Sequence, residues 1–251
     1  MRHIIFDTNV FDVGNKISRN ILLSTDQGLM IVNRFDCNQE MVGHSQWLLD
    51  HGNCNTLEVN DCVQAIKNIT NPVIFDIGSN IGTLSVWFSK IFKNGQIYCF
   101  EPQRQIFYQL CGNISLNNLY NVEAFNMAVG STNGYITVKE PNYFTNHDFG
   151  TFSLVQNKIT NTNKNLTVPV TTLDKFVKDY QINHIDLLKI DVEGMDLEVL
   201  KGAVNVLENF SPVIYIEHCD NNTSVLELLK DFLIPFDYSF DIRKNNLLCQ
   251  K

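Results

Sequence analysis

Short apolar runs alternate with segments of helical periodicity from Pro72 to the end of the chain. The run VIFDI at residues 73–77 is almost continuously apolar, which is typical of a parallel strand covered on both faces. Residues 80–92 follow with apolar side chains at helical spacing, and QIYCFE at residues 96–101 is a second strand. This alternation predicts an α/β fold with a doubly wound, mostly parallel sheet.

The later core elements are predicted from the same two periodicities. They are a helix from Pro102 through IFYQLCGNISL, a strand at 122–129, a helix capped by Thr171 or Thr172 and running through Tyr180, a strand at 185–191, a helix within 193–209, a strand at 212–218, a helix at 223–233, and two closing strands, FDYSFDI and NLLCQ.

The chain divides into an N-terminal region and a core. Residues 1–70 are less regular and are predicted to form a cap of short strands with a helix near 60–68. Residues 71–251 form the core, in which the regular alternation pauses at about 130–171. Turn signals separate the strand-like pieces YITV and LTVPV there, so we predict an inserted hairpin or loop segment that carries substrate contacts.

Composition narrows the function classes. With 44% hydrophobic and 18% charged residues, the 251-residue chain is globular, and its net charge of −8 without a basic stripe argues against a nucleic-acid partner. No apolar segment is long enough for a signal peptide or a membrane span. The seven cysteines are scattered without a CxxC pair, which suits a reducing compartment and predicts a cytoplasmic protein.

The stretch VIFDIGSNIGTLS places a glycine turn directly after the first core strand. Ligands of open α/β sheets bind beyond the carboxyl ends of the strands, where the strand order reverses. Gly78 and Gly82 allow close backbone approach, and the following helix presents free N–H groups to an anionic group. Glu101 ends the second strand, where a carboxylate accepts hydrogen bonds from two ribose hydroxyls. The alternative is a turn that only links strand to helix, with Glu101 as a solvated strand end.

Asn80 indicates which ligand this turn suits. The dinucleotide fingerprint G-x-G-x-x-G needs glycine at that position for the pyrophosphate, and Thr83 stands where its third glycine would be. The P-loop sequence GxxxxGK[ST] is absent. An adenosine ligand with a compact amino-acid tail fits better, and S-adenosylmethionine is such a ligand.

Titratable residues also end the fourth and fifth core strands. Asp191 and Glu193 follow the fourth, and Glu217 and His218 follow the fifth. If the fourth strand lies beside the first, these groups converge on one crevice and mark a candidate active site. The alternatives are that Glu193 is a helix-start carboxylate favoured by the helix dipole and that His218 is a satisfied histidine at a strand end.

With these motifs the sequence resembles the FkbM family of S-adenosylmethionine-dependent methyltransferases, which have the seven-stranded, Rossmann-like class I fold. The matching stretches are VIFDIGSNIGTLS, FEPQ, FNMAVG, NHDFGTFSL, VTTLD, LLKIDVEGMDLEVLKGA and PVIYIEH. KIDVEG is the most specific of them, whereas many methyltransferases share the glycine turn. Ser79 stands where alanine is usual and Asp196 where glutamate is usual, and neither change removes a needed group.

The resemblance implies a cofactor and a set of residues that hold it. The cofactor is S-adenosylmethionine, and the residues expected to bind it are Asp76, Gly78, Asn80 and Gly82 around the methionine portion with Ser79 in the same turn, Glu101 at the ribose hydroxyls, and Asn126, Met127 and Ala128 beside the adenine. The family largely methylates hydroxyl groups on polyketides, sugars or glycans. The expected partner is therefore a hydroxylated small molecule or glycan, with neither nucleic acid nor membrane.

The predicted reaction is O-methylation of a hydroxyl on a sugar, glycan or small metabolite. Alignment supplies most of the catalysis in such an in-line displacement, but the hydroxyl proton must also be removed. Asp191 is predicted to position or deprotonate the acceptor, assisted by Glu193, Glu217 or His218. The sequence leaves open a divalent metal on Asp191, Glu217 and His218. The rival functions are a nicotinamide-dependent oxidoreductase and a non-catalytic S-adenosylmethionine-binding module.

Overall fold

The computed structural model describes residues 18–37, 43–155, 162–217 and 223–251, together with the backbone of residues 4–7. In chain order the strands are β1 (Ile4–Asp7), β2 (Asn20–Thr25), β3 (Gly28–Asn33), β4 (Val73–Ile77), β5 (Gln96–Phe100), β6 (Val122–Phe125), β7 (Ala128–Val129), β8 (Gly134–Lys139), β9 (Asn165–Thr171), β10 (Leu187–Ile190), β11 (Val213–Glu217), β12 (Ser239–Arg243) and β13 (Asn246–Gln250). The α-helices are α1 (His44–His51), α2 (Thr56–Ala65), α3 (Thr83–Ile91), α4 (Arg104–Leu116), α5 (Leu173–Asp179), α6 (Asp196–Lys201), α7 (Val204–Asn209) and α8 (Thr223–Leu233). Short 3₁₀ helices lie at Phe149–Thr151 and Ile234–Phe236.

The largest sheet has seven strands in the order β12-β13-β11-β10-β4-β5-β6. The strands from β11 to β6 pair in parallel, and β12 and β13 add an antiparallel edge. The first core strand, β4, pairs with β5 on one side and with β10 on the other, so the strand order reverses there. The predicted doubly wound, mostly parallel sheet is confirmed, and the carboxyl ends of β4, β5, β10 and β11 meet at one edge.

Alternate residues of the central strands pack into two cores, one on each face of the sheet. Ile74 belongs to the core beneath α3 and α4, whereas Phe75 belongs to the core beneath α5 to α8. One polar pair interrupts this pattern: Asp76 on β4 and Lys189 on β10 lie opposite one another in the register, and both are buried. Each charge needs the other, because an isolated charge is very costly to bury.

The N-terminal strands β1, β2 and β3 form an antiparallel sheet that docks on α4. Asn113 on α4 and Asn117, which caps the end of this helix, each donate to and accept from the backbone of β3, at Ile31 and Leu29 respectively. Four helical residues advance about 6 Å and two strand residues advance about 6.6 Å, so the two amides match alternate residues of the strand. The two side-chain amides thus make the backbone hydrogen bonds that a neighbouring strand would make along the edge of β3.

Three helices differ from their predicted bounds. The helix expected over 80–92 begins at Thr83, because Asn80 and Gly82 have φ values of 50° and 86°. The helix expected near 60–68 is α2, which begins earlier, at Thr56, and α1 precedes it. The range 193–209 contains two helices, α6 and α7, which are separated at residues 202–203. Gly202 lies so close to Gly130 that a side chain there would overlap the Gly130 carbonyl oxygen.

The strand expected over 122–129 is wrong as a single element. It leaves the main sheet after Phe125, and the N–H of Met127 donates back to the Phe125 carbonyl oxygen at 3.0 Å. The chain then enters β7, which belongs to a separate sheet of order β7-β9-β8. In that sheet β8 and β9 pair antiparallel within the segment predicted to carry a hairpin. The predicted cap of α5 is confirmed at Thr172, whose hydroxyl accepts from the Lys175 N–H.

In the part of the chain that the structure describes, no helix combines the length and apolar character required to cross a bilayer.

Candidate functional site

The glycine turn brings the carboxyl end of β4 against that of β10. Gly78 has a φ of 82°, and a side chain on it would overlap the backbone carbonyl of Asp191. Only glycine combines this left-handed conformation with such a close approach between strand ends. Ser79 continues the turn, and its hydroxyl donates to the Asp76 carbonyl oxygen at 2.6 Å.

Every backbone N–H from Gly78 to Gly82 donates to an acceptor within the chain. The acceptors, at 2.7–3.0 Å, are the carbonyl oxygens of Phe100 (from Gly78 and Ser79) and Ser79 (from Gly82), the Glu101 carboxylate (from Asn80) and the side-chain oxygen of Asn80 (from Ile81). The turn itself thus has none of these donors left for a phosphate. Geometry and sequence therefore agree in disfavouring a dinucleotide, whose pyrophosphate needs such donors.

Glu101 is buried at the end of β5, and each of its carboxylate oxygens accepts a backbone N–H. Oε2 accepts from Asn80 at 3.0 Å, and Oε1 accepts from Gln103 at 2.7 Å. Burial raises the pKa of Glu101 to about 8, although the two N–H groups act in the opposite direction. Each oxygen retains further acceptor capacity, which is what two ribose hydroxyls require.

Gln103 joins Glu101 to the inserted segment. Its Nε2 donates to the Phe149 carbonyl oxygen at 2.9 Å, and the Tyr143 hydroxyl donates to its Oε1 at 3.2 Å. Neither Gln103 nor Tyr143 is among the residues predicted from the sequence. Gln103 belongs to the motif FEPQ, but its two partners lie 40 and 46 residues away, so only the fold reveals the contact.

Lys189 forms the buried centre of the second constellation. Its Nζ lies 3.0 Å from Asp191 Oδ2 and 3.8 Å from Asp76 Oδ1, and its side chain is 1% exposed. Burial alone would lower the pKa of Lys189, but the carboxylates of Asp191, Asp76 and Glu217 outweigh burial and raise it. Asp76 also accepts a hydrogen bond from the Ser85 hydroxyl. Lys189 is therefore a permanent cation behind Asp191.

Asp191 and Glu217 meet at the ends of adjacent strands and share a side-chain hydrogen bond. The nearby Asp191 carboxylate and then burial raise the pKa of Glu217 to about 8, so Glu217 holds a proton at neutral pH. Glu193 follows in a left-handed conformation, and its carbonyl oxygen accepts from the Ser153 hydroxyl at 2.7 Å. His218 lies outside the described residues.

The residues predicted beside the adenine take two kinds of position. The Asn126 amide donates to the carbonyl oxygens of Glu101 and Pro102 at 2.9 and 3.1 Å, so it fixes the loop after β5. Met127 and Ala128 line the cleft described below. Their roles toward a ligand stay predictions.

His44 meets the glycine turn from the N-terminal side. The Oδ1 of Asn80 accepts from the Ile81 N–H, so its Nδ2 faces His44 Nδ1 as a donor, at 3.3 Å. Asp148, from the motif NHDFG, approaches the same point, and burial followed by the charge of Asp36 raises its pKa.

These groups surround a cleft of about 930 Å³ at the carboxyl edge of the sheet. The predicted site residues that line it are Gly78, Asn80, Glu101, Met127, Ala128, Asp191, Glu193 and Glu217. The other predicted residues in the described ranges, Asp76, Ser79, Gly82 and Asn126, hydrogen-bond to the surrounding chain. Within those ranges, no group of three or more His, Cys, Asp or Glu side chains is arranged to hold a metal ion.

A family model described as the methyltransferase FkbM domain matches residues 76–240. The chain belongs to the FkbM methyltransferase family. The match begins at Asp76, includes the Glu101 strand end and the Lys189–Asp191 pair, and extends into β12. The family resemblance seen in the sequence motifs is confirmed.

Two methyltransferases of known name are similar to this chain over part of their own length. Methyltransferase sdnD of Sordaria araneosa is 30% identical over 170 residues, which cover 57% of this chain and 64% of the relative. Hexuronic acid methyltransferase AglP of Haloferax volcanii is 30% identical over 148 residues, which cover 59% of this chain and 56% of the relative. The chain therefore spans less than two thirds of either relative.

The fold is shared with a solved member of the family. Methyltransferase FkbM from Methylobacillus flagellatus KT is 18% identical, with a TM-score of 0.51 over 72% of this chain and 44% of that chain. The predicted class I architecture is confirmed.

Proposed function

We propose that the protein transfers a methyl group from S-adenosylmethionine to a hydroxyl group of a sugar, a glycan or a related small molecule. The main support for this proposal is that Glu101 and the Asp191–Glu217 pair line a single cleft. Beside them lies a glycine turn whose backbone N–H groups all donate hydrogen bonds within the chain. Membership of the FkbM family supports it.

The donor set of the cleft fits S-adenosylmethionine. Glu101 would hold the ribose hydroxyls, Met127 and Ala128 would contact the adenine, and Asn80 would lie at the methionine portion. Bound S-adenosylmethionine would supply an electrophilic methyl group from a sulfonium centre. The cofactor carries positive charge, which suits the acidic lining of this cleft.

Residues at the ends of β10 and β11 would align the acceptor hydroxyl and take up its proton. The Lys189 ammonium donates to the Asp191 carboxylate at 3.0 Å, which fixes the direction of that carboxylate. Asp191 would accept a hydrogen bond from the acceptor hydroxyl and so align its oxygen. The Asp191–Glu217 pair would then receive the proton as the oxygen gains its methyl group.

The hydroxylated acceptor rests on the family and on a relative of Sinorhizobium fredii named 2-O-methyltransferase NoeI, which is 22% identical over 77% of this chain and 86% of the relative. The rival oxidoreductase lacks donors in the turn for a pyrophosphate. A non-catalytic binding module would not need a lysine-backed carboxylate pair at the cleft.

The test combines cofactor binding with transfer. We expect S-adenosylhomocysteine, and not NAD, to raise the melting temperature, and methyl-labelled S-adenosylmethionine to label a member of a panel of hydroxylated sugars and metabolites. Asp191→Asn is expected to lower turnover at least about a hundredfold with little change in S-adenosylhomocysteine affinity. Glu198→Gln, which changes an exposed carboxylate on α6, is the matched control.

Two results would contradict the proposal. Stabilisation by NAD alone would favour the oxidoreductase, and unchanged turnover of Asp191→Asn would remove Asp191 from the proposed chemistry.

A further inference from the structure

An aromatic pair is exposed at the wall of the cleft. Trp47 and His51, one turn apart on α1, have ring centroids 4.2 Å apart and ring planes 23° apart. Both residues line the cleft, and Trp47 is 43% exposed. A rigid aromatic surface of this kind, exposed inside a cleft, is typical of a ligand contact.

The helices α1 and α2 hold this pair beside the proposed reaction centre. The first residue of α1, His44, contacts Asn80 in the glycine turn. Just before α2, the side-chain oxygen of Asn55 accepts from the Thr83 hydroxyl at 2.9 Å. The α1–α2 wall is thus attached at the start of α3, next to the turn expected to hold the methionine portion of the cofactor.

The charge of the cleft restricts what can lie on this wall. Its acidic lining residues are Glu58, Glu101, Asp148, Asp191, Glu193, Asp196 and Glu217. Among the described residues that line the cleft there is no lysine or arginine. Lys189 lies beneath this lining and is already paired with Asp191 and Asp76, so it is not available to an anionic acceptor, which would face the remaining carboxylates. Neutral hydroxyl groups, in contrast, can donate hydrogen bonds to carboxylates.

We propose that Trp47 and His51 form a stacking platform for an uncharged sugar ring of the acceptor, and that the acidic cleft rejects sugars carrying a carboxylate or a phosphate. The apolar C–H face of a sugar covers the indole ring while its hydroxyls reach the carboxylates. This inference rests on the proposed methyl transfer and deepens it, and it assigns an acceptor class different from the hexuronic acid in the name of AglP.

Tryptophan fluorescence tests the platform directly. The chain has two tryptophans, so Trp87→Phe leaves Trp47 as the sole reporter. With S-adenosylhomocysteine bound, we expect the methyl glycosides of glucose, galactose or mannose to change the Trp47 emission saturably. The methyl uronides of glucose and galactose, which replace the C6 hydroxymethyl by a carboxylate, are expected to bind at least about tenfold more weakly.

Variants of Trp47 provide a second test of the platform, through the KM for the acceptor. Trp47→Leu is expected to raise KM for a neutral sugar acceptor about tenfold, and Trp47→Phe much less, because Phe keeps an aromatic face. Tyr180→Leu, which removes an exposed ring outside the cleft lining, is the control.

The outcomes separate this inference from the proposed function. If S-adenosylhomocysteine binds but no neutral sugar changes the Trp47 emission, the sugar platform is overturned while the methyl-donor site stands. The same holds if only catechol, a hydroxylated aromatic compound without a sugar ring, changes the emission. Equal binding of glycosides and uronides overturns the charge selection. Failure of S-adenosylhomocysteine to stabilise the protein contradicts the proposed function itself.

Discussion

At the scale of single residues, Lys189 is the buried cation that pairs with the carboxylates of the site, although it does not itself line the cleft. Its ammonium group lies between Asp76 and Asp191, and the Asp76 Oδ1 has no hydrogen-bond partner within the described residues. Burial raises the pKa of Asp76, and Lys189 opposes that rise. Lys189 thus contacts both carboxylates and offsets part of the cost of burying Asp76, although burial still raises the Asp76 pKa.

We expect Lys189→Met to lower the free energy of unfolding at neutral pH by about 3–5 kcal/mol, because it leaves buried carboxylates uncompensated. Urea denaturation measures this change. The double variant Lys189→Met with Asp76→Asn is expected to recover part of the loss, since one orphaned charge is removed. Simple additivity of the two single effects would contradict the coupling.

At the scale of elements, Asn113 on α4 and Asn117 at its C-terminal cap form an asparagine ladder that joins the N-terminal sheet to the core. Asn113 is fully buried, and its amide also donates to the Ile81 carbonyl oxygen at 2.9 Å. The same side chain therefore links β3, α4 and the glycine turn. Because α1 and α2 follow β3 in the chain, the ladder also helps to place the wall that bears Trp47.

We expect Asn113→Leu to lower the free energy of unfolding by about 2–4 kcal/mol, because backbone groups of Ile31 and Ile81 lose their buried partners. Hydrogen exchange at the Ile31 amide is expected to accelerate in this variant. Asn209→Ala, which removes an exposed side-chain bond on α7, is the control and is expected to change stability by no more than about 0.5 kcal/mol. Unchanged exchange at Ile31 would show that the sheet docks by apolar contacts alone.

At the scale of the whole molecule, the acidic cleft makes stability depend on pH. Glu101 and Glu217 both have pKa values raised from 4.5 to about 8. Between these values the folded chain binds protons that the unfolded chain has released. The stabilisation from these protons is complete below about pH 4.5 and is lost as the pH rises through about 8.

We therefore expect these two groups to lower the free energy of unfolding as the pH rises from about 5 to about 8. Urea denaturation across this range is the measurement. Glu101→Gln cannot titrate, so its profile is expected to fall less steeply than that of the native chain. Glu123→Gln, at an exposed position, is expected to follow the native profile. Parallel profiles for Glu101→Gln and the native chain would contradict the raised pKa of Glu101.

The sequence determined the family, the doubly wound fold and most of the core strands, because apolar runs and glycine turns are local signals. The VIFDI and LLKID runs mark buried strands on their own, and Asn80 by its position in the turn argues against a dinucleotide. The start of α3 was not predicted, because the left-handed conformations of Asn80 and Gly82 delay the helix. The division into α6 and α7 at residues 202–203 was not predicted either.

Only the tertiary structure decided how the site is supported and what surrounds it. Lys189 sits in an apolar strand run, and its partner Asp76 is 113 positions away in the chain, so pairing required the β4–β10 register. The engagement of the turn N–H groups, the Gln103 network and the Trp47–His51 wall likewise depend on contacts between distant segments. Periodicity records which face of an element is buried, but it carries no information about which distant side chain will face it.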